Sequence, residues 1–421
     1  MGGEKFIPFR KADIVSMCAD ELPAEERDAF MVFCAMLASL LHHEFHARIE
    51  ALKDAYHPFN PQSDTRVIAP IGPAERHAAR LRLEQELADL ARAANFTEVD
   101  NQDLDRAFSE HSLLKVRLTA KLDMVDKIMI FRRGEWVMTE RVPTWFGLRR
   151  KTVEFPGYAK VLVYATIKEA EHFAGTDVDR LPFRPGSMII KLFQNVPRHD
   201  LEMVLPNVEV KMLRIDKVLI GVPAFFSGVA VIATKLVSSL VVLLLLIAVW
   251  LGIREDAGPI EPAELATMGA GIFAFAGYVV RQVSKFKNRK IQFMKALSEN
   301  LYFRNLDNDA GVFHHLLDAA EEAECIEAVL AYHFLRTAEG PLTLAELDRR
   351  VEAWLNKRSD NRVDFEVHDG VGKLRRLGLV EEDEPERLSA VALAEAKRRM
   401  DRIWDDIFTY NNSAPAGQES V

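Results

Sequence analysis

The chain has 421 residues, 49% hydrophobic and 28% charged, which is enough apolar side chain for two or three cores and excludes a disordered polymer. A net charge of −9 excludes a surface built throughout to hold nucleic acid. Three cysteines, Cys18, Cys34 and Cys325, odd in number and far apart without CxxC spacing, support neither a disulfide framework nor a cysteine zinc site and point to reducing surroundings.

The opening MGGEKFIPFRKADIV has no apolar signal core, and Phe6 stands where a myristoylation signal places Ser or Thr. The N-terminus is therefore expected to stay in the compartment of synthesis, and the absence of a basic, serine-rich leader favours a bacterial membrane over an organellar one. Residues 1–110 read as a helical region: periodic apolar positions over 10–56, a proline-punctuated loop HPFNPQSDTRVIAPIGP, and a second helix from Ala74 to Asn95. His42, His43 and His46 can put two imidazoles on one helix face, but no third ligand follows by spacing, so a polar surface is expected there.

Residues 111–221 change pattern. LKVRLTA, KIMIFRRG, EWVMTERV, TVEFPG and AKVLVYATI are short runs of β-formers, with Arg133-Gly134 and Pro156-Gly157 as expected turns; SMIIKLFQNV, VEVKMLRI and DKVLIG add strands. An α+β domain follows. Within it Arg132, Arg133, Asp200, Glu202, Lys211 and Asp216 form a candidate polar site, with the arginines as anion ligands and the carboxylates as acid/base groups.

Residues 222–283 read as a two-helix transmembrane hairpin. LVSSLVVLLLLIAVWLGI, from Leu236 to Ile253, carries no charge over about 18 residues, nearly the length that crosses a bilayer core. Lys235 either snorkels to the interface or faces the partner helix. The second run, LATMGAGIFAFAGYVV, is rich in glycine and alanine, as closely packed membrane helices are. An amphipathic basic helix and connector follow over 284–320; Arg281, Lys285, Lys287, Arg289 and Lys290 are expected to touch anionic lipid headgroups. Their excess over the acidic connector REDAGPIEP puts both termini on the cytoplasmic side.

FIPFRKADIV, IMIFRRG, IIKLFQNVPRHDLEMVLPNVEVKMLRIDKVLIG and LYFRNLDNDAGVFHHLLDAAEEAECIEAVLAY, in this order, resemble the transmembrane protein 143 family, a domain-of-unknown-function family numbered 3754. The resemblance implies membrane association in bacteria and organelles of bacterial origin, and it supplies no reaction or catalytic residue. In its last segment Asp307, Asn308 and Asp309 offer turn and cap chemistry. The spacing of His314, Asp318, Glu322, Glu324 and Glu327 fits a solvated acidic face better than a metal site.

Residues 321–410 read as helix, helix, helix, hairpin, a winged-helix-like order. Thr343 and Glu346 form a capping box, and Asp364 is expected to cap the third helix, which ends before Gly378. Lys373, Arg375 and Arg376 on that helix are candidate partner-binding residues. Residues 301–421 carry 15 basic and 25 acidic side chains, including Glu381, Glu382, Asp383 and Glu384 at the wing, so protein partners are expected rather than nucleic acid. A tail over 411–421 is expected to be disordered.

No GxGxxG after a strand, GxxxxGKS/T, GxSxG or HExxH occurs, so no cofactor, metal or catalytic residue is assigned. The expected architecture is an α+β membrane protein comprising a cytoplasmic α+β domain, the hairpin and the winged-helix-like domain. The expected function is a non-enzymatic membrane-anchored scaffold or regulator, with homo-oligomers allowed. A membrane-surface enzyme using Arg132, Asp200 and Asp216 and a membrane-tethered DNA-binding regulator are the alternatives.

Overall fold

Apolar spacing and prolines set the first helices of the computed structural model, which describes chiefly residues 4–60, 71–100, 117–120, 122–144, 149–175, 183–198, 208–211, 247–252, 301–359, 362–384 and 386–408. Helix α1 spans Lys11–Asp20 and α2 spans Ala24–Tyr56, beginning directly after Pro23. Helix α3, Pro73–Ala93, carries proline at its first position, where the missing N–H has no intrahelical role. It ends at Asn95, whose φ of +58° is a left-handed conformation that asparagine tolerates.

Strands β1 (Thr97–Glu98), β3 (Val125–Thr144), β4 (Arg149–Ile167), β5 (Met188–Pro197) and β7 (Asn305–Asn308) form one sheet in the order β1-β3-β4-β5-β7, with antiparallel neighbours. A separate pair joins β2 (Arg117–Ala120) to β6 (Val208–Lys211). The two expected turns fall inside this sheet. Arg133 lies opposite Lys160 and Gly157 opposite Trp136, so β3 and β4 run straight through both positions. The glycines have another cause: Gly134 has a φ of +71°, and a Cβ on Gly157 would come within 3.1 Å of the Val196 carbonyl oxygen.

Helical residues recur between 247 and 304, among them 247–250, 273, 280, 281, 287 and 291, and the C-terminal elements are α4 (Ala310–Arg336), β8 (Leu342–Thr343), α5 (Leu344–Asn356), α6 (Val367–Arg376), β9 (Val380–Glu384), β10 (Arg387–Ala390) and α7 (Leu393–Asp406). Thr343 caps α5 as the sequence implies: its Oγ1 accepts from the Glu346 amide at 3.3 Å while its own amide donates to Glu346 Oε2 at 2.9 Å. Asp364 does not cap α6, which starts at Val367; the Asp364 amide instead donates to the Glu4 carbonyl at 3.0 Å.

These elements fall into two compact units, one of residues 1–106, 123–198 and 305–421, the other of 107–122 and 199–304. In the first, the N-terminal helices share a core with the C-terminal elements: Phe30, Phe33 and Leu37 of α2 pack in one cluster with Val329, Tyr332, Leu355 and Leu374. Phe33 stacks on Tyr332 at 4.1 Å between centroids. A second cluster joins the end of α2, α3 and the start of α4 to one face of the sheet. The pleat supplies that face at alternate positions: Met129 and Phe131, Leu162 and Tyr164, Ile190 and Leu192.

One described helical stretch, Ala24–Phe59, is long and apolar enough to cross a membrane, a test that core helices also pass. Phe30, Phe33, Leu37 and Leu41 within it are fully buried. Most of the hairpin expected over 222–283 lies outside the described residues, as does Lys235.

Candidate functional site

The apolar row on β3 ends at Arg133. It shares a face with Met129 and Phe131, so the pleat carries a guanidinium to the edge of the core, where Lys160 of β4 stands opposite. Arg133 is only 7% exposed. Its guanidinium lies 4.5 Å from the Phe6 ring centroid and 5.0 Å from that of Phe96, and Nη1 donates to the Ala94 carbonyl at 3.1 Å. Burial pulls its pKa down to about 10, against the attraction of Glu322, Glu4 and Asp318. Lys160 is also lowered, first by burial and then by Arg133.

Glu4 ties the N-terminal segment to this place. Strand β1 covers β3 only at Phe131 and Arg132, leaving the next amides without a strand partner. Glu4 takes them: its carboxylate accepts from the Gly134 amide at 3.0 Å and the Glu135 amide at 3.4 Å. Its backbone bridges Val363 on the α5–α6 connection. The segment following Glu4 closes a cavity of about 210 Å³, lined by Phe6, Phe9, Asn95, Arg133, Glu322 and Ile326 among others.

A second polar focus lies at the α4–α6 crossing. Lys373 Nζ is 2.8 Å from Glu327 Oε2, and Asn95 Nδ2 donates to Glu327 Oε1 at 3.0 Å. Glu327 is 2% and Lys373 8% exposed. Burial raises the Glu327 carboxyl above its ordinary range even with both donors in place, and burial likewise raises Glu324, 3.9 Å from Lys373. Gly370 permits the crossing, because a Cβ there would meet the Glu327 carbonyl oxygen at 2.8 Å.

The structure thus distributes the sequence-derived candidates. Arg132 leaves the opposite face of β3, half-buried over the Tyr158 ring at 5.2 Å and 3.7 Å from Glu135. Asp200, Glu202 and Asp216 lie outside the described residues; Lys211 is in β6, paired in register with Arg117. Of the α6 residues, Lys373 is buried against Glu327, Arg375 pairs with Glu382 at 2.5 Å, and Arg376 with Glu44 at 2.6 Å. Arg281 and Lys287 are exposed at helical positions, while Lys285, Arg289 and Lys290 lie outside the described residues. His42 bonds Glu321 at 2.8 Å, and His43 packs edge-on against Trp404 and Phe408. Among the described residues no three metal-binding side chains converge.

Nucleophilic chemistry finds no ready thiol: burial pushes Cys18 up to about 12 and Cys325 to about 11, and Cys34 upward as well. One buried titratable group has a measurable consequence. His333, 1% exposed, lies with Nε2 3.3 Å from Glu21, whose carboxylate also holds the Trp354 indole at 2.6 Å and Arg358 at 3.1 Å. Burial lowers its pKa from 6.5, opposed by Glu21 and reinforced by Arg336. A depressed folded pKa means that the unfolded chain takes up a proton first, so this contribution is intact above the ordinary value and is lost as pH falls through it toward the folded one. Urea titrations at about pH 7.5 and about pH 5.5 are expected to show a stability loss that His333→Gln flattens. An equal loss in the variant would assign the effect elsewhere.

A family model described as "Protein of unknown function (DUF3754)" matches residues 158–311, from β4 to the first turn of α4. The match supports the domain-of-unknown-function part of the resemblance and does not extend to transmembrane protein 143. It includes Lys160 but stops short of Glu322, Glu327 and Lys373. No solved structure matches the chain.

Proposed function

We propose that the protein is a non-enzymatic membrane-anchored scaffold or regulator, in which a helical hairpin over 222–283 enters the bilayer and the first unit meets protein partners on the cytoplasmic side. The observation that carries this reading is the set of large apolar side chains standing outward at helical positions of the second unit. Trp250 is 84% exposed, Phe273 81%, Val280 64% and Ile291 62%, with the exposed cations Arg281 and Lys287 interleaved. Water makes such a surface costly, whereas hydrocarbon with an anionic headgroup layer satisfies both residue types.

The order helix, strand, helix, helix, hairpin from α4 to β10, with sheet order β8-β10-β9, supports a winged-helix-like reading of the C-terminal elements. Phosphate recognition by α6 is disfavoured, because each of its three cations already ends in a carboxylate of the same chain. An apolar surface suited to a protein partner is available on α7 and just beyond it, where Trp404 is 51% and Phe408 80% exposed.

Two steps test the proposal. Alkaline carbonate treatment of native membranes is expected to leave the chain in the pellet; release into the supernatant would overturn the anchor. Mild detergent extraction should then recover a stoichiometric protein partner that Trp404→Ser with Phe408→Ser removes while the fold is retained. Recovery of the chain without any protein partner would overturn the scaffold.

A further inference from the structure

The cavity behind the N-terminal segment joins an apolar face to a buried cation. Part of its wall is apolar, with Phe6 and Phe9 on one side and Ala319, Ala323 and Ile326, spaced along one face of α4, on the other; Asn95, Glu322 and Arg10, the last paired with Asp13, complete it. It also contains Arg133, a cation more than nine-tenths buried. An arginine carries five N–H donors, and here one carbonyl and two aromatic rings are its direct partners among the described residues.

Of the three acids that attract Arg133, Glu322, Glu4 and Asp318, the first two also accept backbone hydrogen bonds. Glu4 accepts from the Gly134 and Glu135 amides, and Glu322 Oε1 accepts from the Lys11 amide at 3.0 Å. The pKa of Arg133 is nonetheless depressed: burial costs the cation more than these carboxylates return.

We propose that this cavity is a binding site for a small monocarboxylate with an apolar body, its carboxylate on Arg133 and its body between the N-terminal phenylalanines and α4. The planar guanidinium suits a carboxylate, which it can engage through two parallel hydrogen bonds. A volume of about 210 Å³ is below that of a drug-sized pocket and restricts the body to a short aliphatic chain or one ring. Glu322 at the wall repels any anion, and a dianion about twice as strongly as a monoanion, which favours a carboxylate on Arg133 over a phosphate dianion. An occupant would bridge the N-terminal segment, β3 and α4, adding stability to the first unit by linkage. This site goes beyond the scaffold reading and does not depend on the membrane anchor.

The test uses the full chain in a nonionic detergent, with hexanoate and phenylacetate as probes and hexanol and inorganic phosphate as controls. Saturable calorimetric binding and a rise in melting temperature are expected with the two carboxylates and not with the controls. Ala323→Leu, which fills the cavity from a half-buried position on α4, is expected to abolish both while leaving Arg133 in place. Arg133→Lys should weaken binding by about tenfold or more. Absence of saturable carboxylate binding overturns the proposal, as does binding that survives Ala323→Leu or phosphate binding of equal strength. Should Arg133→Lys not fold, Ala323→Leu still decides.

Discussion

Lys373→Met is expected to destabilise the first unit by about 3–5 kcal/mol, because it strands the Glu327 carboxylate inside the protein. Glu327 is 2% exposed, and among the described residues its second oxygen accepts from Asn95. Burial keeps the Glu327 carboxyl above its ordinary range in the presence of Lys373, so the pair does not recover the full cost of leaving water. Two consequences separate this account from simple loss of packing. Glu327→Leu alone should also be destabilising, through an unpaired Lys373. The double variant Glu327→Leu, Lys373→Met should lose less than the sum of the two single variants, by a coupling of about 1–3 kcal/mol. Since the chain has two units, hydrogen exchange of α4 and α6 amides is the suitable readout of local opening. Additive losses in the double variant would refute the ion-pair account.

That pair shows what local sequence patterns can convey. Helices α2 and α3 and the Thr343–Glu346 box were legible because their determinants are a few residues apart: apolar periodicity, a proline at the first turn, a hydroxyl three residues before a carboxylate. Mixed α+β character was legible for the same reason. The polar foci were not, because Asn95 meets Glu327 across 232 positions and Glu4 meets Gly134 across 130. The sequence did contain weak indications. Glu327 interrupts the apolar run CIEAVLAY, and a charge there requires a partner if the face is buried; Asn95 stands where a helix calls for a left-handed residue.

Lys373, Arg375 and Arg376 read as candidate partner-binding residues because a single sequence cannot show that Glu327, Glu382 and Glu44 arrive opposite them. Charge counting correctly indicated an acidic environment around these residues, but not that one cation would be taken into the core. The placement also favours point substitutions over truncation as a probe of the C-terminal elements. Val351, Leu355 and Leu374 share a core with Ile14, Phe33 and Leu37, so deletion would expose α1 and α2 along with the intended surface.

Gly134 makes the same lesson testable, because its composition signal indicated a turn while its structural role is a strand position that receives the N-terminus. Gly134→Val should cost about 2–6 kcal/mol, about 1–3 from forcing a β-branched residue to positive φ and about 1–3 from overpacking. The second part has a defined source, since a Cβ at Gly134 would come within 2.8 Å of Ala159 Cβ on the paired strand. Gly134→Ala combined with Ala159→Gly removes that overlap and retains the backbone cost, so this pair should lose only about 1–2 kcal/mol. The damage should also propagate in a particular direction. If β3 shifts here, the amides of Gly134 and Glu135 no longer present themselves to Glu4, and Glu4 in turn loses its hold beside Val363. Faster hydrogen exchange is therefore expected at residues 4–9 and at Asp364 in Gly134→Val, with the amides of α3 much less affected. Exchange confined to the β3–β4 hairpin would show that the N-terminal segment is held by its phenylalanines alone and that the Glu4 carboxylate contributes little to closing the cavity over Arg133.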